Sequence, residues 1–102
     1  MNIKDGVDFH LRIVDHAKAL GFEERGWTFI KNHCKLELSQ TMTGRALTLL
    51  QTVDNDKYIY LWDTNVLSLE IYSKWFPKQT IFHADAEEFK TAVLESITAI
   101  SK

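Results

Sequence analysis

The groups in this 102-residue chain that could do chemistry are four histidines, one cysteine and fourteen carboxylates. Their spacing builds no recognisable site. A helical zinc site takes histidines at i and i+4 with a further ligand, whereas His10 and His16 are six positions apart and project about 120° away from each other on a helix. His33 and Cys34 are adjacent, so on a strand they face opposite sides. His83 stands alone, and neither a metal nor a cofactor is expected. No Gly-rich phosphate loop, GxSxG or HExxH motif occurs. Asp54-Asn55-Asp56 is explained by turn chemistry.

His10 is the sharpest candidate for a ligand contact. It falls within the apolar arc of a helix, between Val14 and Ala17. Two readings stand: a core histidine holding one hydrogen bond, or a general base in a cleft between helix and sheet, with Asp63 or Asp85 as its acidic partner. Cys34 alternates with Leu36 and Leu38 and reads as a small buried hydrophobe. The stretch Ser73–Gln79, SKWFPKQ, sets Trp-Phe-Pro between lysines. It suits a loop anchored in the core by Trp75 or Phe76, or a loop that contacts another protein. Stacking on single-stranded nucleic acid is the weaker alternative, since so few basic groups make a thin footprint.

The elements that must position these residues follow from periodicity. Residues 5–20 form a helix whose apolar arc holds Val7, Phe9, Leu11, Ile13, Val14, Ala17 and Leu20, with Asp5 as N-cap and Gly21 just past its end. Strand patterns follow at Trp27–Lys31, Cys34–Thr41, Ala46–Val53 and Asp56–Asp63, with turns at Thr43-Gly44 and 54–56. The first helix and these strands lead into residues 64–83, which suit strands or a short helix; the density of β-branched and aromatic residues favours strands, with a last edge strand at Thr80–His83. A second helix starts at Ala86, with Asp85 as N-cap, Glu88 completing a capping box, and Phe89, Ala92, Val93, Ile97 and Ile100 as its apolar face. Short connections make neighbouring strands antiparallel.

The expected fold is a single α+β domain over residues 1–102. It has two layers: an antiparallel sheet of four to six strands, with the N- and C-terminal helices packed on one face. An aliphatic face of Leu36/Leu38, Leu47/Leu49, Ile59/Leu61 and Leu67/Leu69 would meet the helices. The other face would carry Lys35, Glu37, Thr48, Leu50, Thr52, Glu70 and the aromatics Tyr58, Tyr60, Trp62 and Tyr72, unless residues 64–83 fold over it. Large rings with polar tips are enriched at protein interfaces.

Composition narrows the function. Hydrophobic residues make up 45% and charged residues 25%, the balance of an ordinary globular protein, with a net charge of -2. That balance disfavours a nucleic-acid binder. No stretch reaches the ~20 apolar residues of a membrane span. The first residues lack a secretory pattern and the cysteine has no partner in the chain, so a cytoplasmic protein is expected. The functional expectation is a non-enzymatic accessory protein. Tyr58, Tyr60, Trp62, Tyr72 and Trp75 would form the interface with which it homodimerises, or engages and inhibits another protein. The alternative is a small-molecule binder or small enzyme with a site near His10.

Overall fold

The first helix, α1 (Ile3–Ala19), ends where a glycine permits it. Gly21 has φ +94°. Its N–H donates to Lys18 O and the Phe22 N–H to Ala17 O, the paired bonds of a Schellman stop. Phe22 and Ala17 are both buried, which supplies the apolar contact that accompanies this motif. The computed structural model describes residues 3–26, 28–40, 46–52 and 58–102. The turns expected at Thr43-Gly44 and 54–56, and the start of a strand at Trp27, lie outside the described residues.

Seven strands follow α1: β1 (Glu23–Arg25), β2 (Thr28–Lys31), β3 (Cys34–Gln40), β4 (Ala46–Thr52), β5 (Tyr58–Asp63), β6 (Ser68–Ser73) and β7 (Gln79–Phe82). They form one antiparallel meander in sequence order. The chain closes with α2 (Ala86–Ile100). The sheet thus has seven strands where four to six were expected. Residues 64–83 supply β6 and β7, and β1 is a short strand with no apolar alternation to announce it. Asp85 caps α2, its Oδ1 accepting from the Glu87 N–H at 3.4 Å. Among the described residues, no helix is long and apolar enough to cross a membrane.

The core joins Phe9, Ile13 and Ala17 of α1 and Phe89, Val93 and Ile97 of α2 to one face of the sheet. Two expectations need correction. The buried arc of α1 is narrower than the apolar pattern: Val7 and Leu11 are exposed. At 100° per residue they lie roughly 120° and 160° from Ile13, the centre of that arc. The larger correction concerns the sheet. Its helix-facing side carries Cys34, Leu36, Leu50, Thr48, Tyr60 and Trp62, and the aromatic side of β5 is therefore the inner side.

Register decides this. Leu36 pairs with Leu50 and Leu50 with Tyr60; Leu38 pairs with Thr48 and Thr48 with Trp62. Directly opposed residues share a face. Once β3 turns its leucines inward, Thr48, Leu50, Tyr60 and Trp62 must go with them. Ile59 and Leu61 fall on the outer side, opposite Tyr72 and Glu70. Leu49 pairs with Glu37 and Leu61.

Candidate functional site

Alternation along β5 places Tyr58, Tyr60 and Trp62 in one row. Their rings stack in sequence at centroid distances of 6.1 Å, with interplanar angles of 25° and 18°. The row passes from interior to surface. Trp62 is 1% exposed and belongs to the core, so it has no area to offer a partner; its expected place in an interface is withdrawn. Tyr60 is half-buried and packs against the same core. Burial, first, then the neighbouring Tyr58 and Cys34, push its phenol above the ordinary tyrosine range. Tyr58 is half-buried where the row leaves the helices.

There the row opens into a groove of about 340 Å³, lined by Tyr58, Tyr60, Ile71, Phe76, Pro77 and Gln79. Its far wall is the β6–β7 connection. Ser73 Oγ accepts from the Trp75 N–H at 3.1 Å, a local turn bond at the start of this connection. Trp75 and Phe76 are each 62% exposed, so neither anchors this loop in the core, contrary to one of the two readings of SKWFPKQ. The Lys74 Nζ lies 4.8 Å from the Trp75 ring centroid. On β7, Ile81 and Phe82 are exposed as well, Phe82 at 69%.

Tyr72 sits on the outer side of β6. Its hydroxyl donates to Glu70 Oε2, and Glu70 also pairs with Lys78 at 3.7 Å. The bond to Glu70 is the main cause that raises its phenol above the usual range, with desolvation and the carboxylate's charge adding to it. Lys35 and Glu37 form a 3.1 Å pair on the same side of the sheet. Ion pairs and half-buried aliphatics make this side a mixed surface.

His10 is half-buried on α1, and its Nε2 is buried without a hydrogen-bonding partner among the described residues. Neither Asp63 nor Asp85 reaches that atom. Asp63 Oδ1 accepts from the Asn65 N–H at 3.0 Å, and Asp85 caps α2. Burial depresses the His10 pKa below the ordinary histidine value. Thr48 Oγ1, on the inner side of β4, is also buried and, among the described residues, unpartnered.

The other histidines are dispersed. His33 is exposed in the β2–β3 turn, and the His83 ring meets the Phe89 ring edge-on at 5.9 Å. His16 holds a role that sequence reasoning missed: its Nε2 lies 2.7 Å from Thr98 Oγ1 and 3.0 Å from Leu94 O, tying α1 to α2. Its partners are some eighty residues away in the chain, so no local signal marks it. Cys34 is buried, with its Sγ donating to Ile100 O at 3.5 Å. No group of three or more His, Cys, Asp or Glu able to hold a metal occurs among the described residues.

Comparison with known proteins finds no matching protein family, no similar curated protein and no similar solved structure.

Proposed function

We propose that this chain is a non-enzymatic binding protein, and that its contact surface is the β6–β7 side of the sheet. The observation that supports this reading is the exposure of Trp75, Phe76, Ile81 and Phe82 on one connection and the strand that follows it. Leaving so much apolar area wet is costly, and large exposed apolar surface marks interaction sites. Tyr72 flanks the surface on the outer side. Tyr58 and Tyr60 offer it a shallow groove on the inner side. The partner is another protein or a second copy of the chain; the net charge of -2 argues against nucleic acid. A cytoplasmic location belongs to the same reading, supported by the lone cysteine.

The test compares wild type with Trp75→Ala/Phe76→Ala. Both side chains are exposed, so the double variant should melt like wild type. It should lose self-association measured by light scattering, or retention of a co-purifying protein. Unchanged association and unchanged retention would reject this surface.

A second reading rests on His10. A half-buried imidazole whose pKa is lowered by burial, with Nε2 unpartnered among the described residues, is biased towards the neutral form that a general base needs. In that case a metabolite screen should find a ligand that raises the wild-type melting temperature and leaves folded His10→Gln unaffected. The absence of any stabilising ligand would count against it.

A further inference from the structure

We infer that two copies of this chain join antiparallel through their β7 edges, in the register that places Ile81 opposite Ile81. This rests on the binding surface proposed above and commits it to one occupant, a second copy.

The sheet has two edges, β1 and β7, and the chain treats them differently. β1 is three residues long, Glu23-Glu24-Arg25, all charged and exposed. Short length and charge are the usual defences against strand addition. β7, Gln79-Thr80-Ile81-Phe82, has no charge and no proline, and all of it is exposed.

Backbone geometry says which groups are available. The His83 N–H donates to Leu67 O at 2.9 Å, so the main chain of His83 faces β6. Main-chain groups alternate sides along a strand. Ile81 and Gln79 therefore also face β6, while the N–H and C=O of Thr80 and Phe82 face away from the sheet. A two-fold axis perpendicular to the sheet through Ile81 sets Thr80 against Phe82 of the second copy, and the reverse. Each pair exchanges two bonds, about four in all, and the two Ile81 side chains meet on the inner side as a non-hydrogen-bonded pair.

Charge favours a second copy over an arbitrary strand. Lys74 and Lys78 precede β7, and Asp85, Glu87 and Glu88 follow it. Antiparallel pairing in this register brings Lys78 opposite Ala84 of the second copy, beside Asp85 and the acidic first turn of α2. The same contact forms twice. Lys78 can exchange its present contacts for this one, since its 3.7 Å pair with Glu70 is half-exposed and weak and its ammonium lies 6.0 Å from the Tyr72 ring centroid. Phe82 and the Trp75-Phe76 turn extend the contact beyond a strand of four residues.

The experiment uses the full chain. Light scattering across a concentration series should show wild type approaching twice 11.8 kDa. Ile81→Lys sets two ammonium groups face to face and should raise the dissociation constant roughly tenfold or more, with an unchanged circular dichroism spectrum. Under oxidising conditions Ile81→Cys should cross-link to a covalent dimer, because non-hydrogen-bonded pairs bring their Cβ atoms close, while Asp15→Cys on the far helix should not. A wild type that is monomeric at millimolar concentration overturns the inference. So does an Ile81→Cys protein that stays uncross-linked while wild type dimerises. If a dimer persists in Ile81→Lys yet is lost in Trp75→Ala/Phe76→Ala, edge pairing fails and the aromatic surface stands. If all of these variants behave as wild type, both fail.

Discussion

The imidazole of His16 and the hydroxyl of Thr98 meet at 2.7 Å across the two helices. The Thr98 hydroxyl donates to Leu94 O at 3.0 Å, so its oxygen is left to accept from His16. Leu94 O, a carbonyl, can only accept, and it lies 3.0 Å from the same Nε2. Nε2 therefore carries a proton, shared between the two acceptors. The bond adds a directional tie between α1 and α2 to the edge-on contact of Phe9 with Phe89.

Replacing His16 with Ala should cost about 1–3 kcal/mol, the range for losing a hydrogen bond and leaving a partly buried partner unmet. Thr98→Val should cost less, because Leu94 O would still accept from His16. Urea denaturation of both single variants and the double variant gives the coupling. Strictly additive effects would mean that the contact contributes nothing to stability.

Trp62→Ala should cost about 3–5 kcal/mol, the usual range for deleting a large buried aromatic. Tyr72→Ala, on the exposed outer side, should leave the melting curve in place. This pair tests the orientation of the sheet: a tolerant Trp62 would mean that the faces are reversed.

Protonating His10 should destabilise the protein. Its folded pKa is depressed by burial below the ordinary value near 6.5, so around pH 6 the unfolded chain binds more protons than the folded one. Stability contributed by the neutral imidazole is complete above about pH 6.5, and it is lost as pH falls from there towards the lowered folded pKa. The melting temperature of wild type should drop over that window, and His10→Gln should show a shallower drop. Identical slopes in the two proteins would mean that His10 is well solvated.

Gly21→Ala should cost about 1–2 kcal/mol through backbone strain alone. The residue holds φ +94°, and an added Cβ would meet nothing within 4 Å, so no clash contributes. Thermal melts should show the loss without any change in helix content.

The histidine and aromatic positions show how far local pattern reaches. The two helices, the Gly21 stop, the Asp85 cap and the strand preference of residues 64–83 follow from spacing within a few residues of each other, and they are legible without a structure; Asp5, expected to cap the first helix, instead lies within its first turn, because α1 already starts at Ile3. So is the inward face of β3, where Cys34, Leu36 and Leu38 alternate with Lys35, Glu37 and Ser39. On β5 the same alternation is present but does not choose a side, because Ile59 and Leu61 are as apolar as Tyr58, Tyr60 and Trp62. That choice passes through pairing: Leu36 to Leu50, Leu50 to Tyr60. A shift of one residue at either step would turn every side chain of β5 over. Periodicity therefore determined which elements form and how each divides into two faces. Only the tertiary pairing decided that Trp62 lies under the helices and that Phe82 is left in water on the outer side of an edge strand, because register is set between strands and is not written within any one of them.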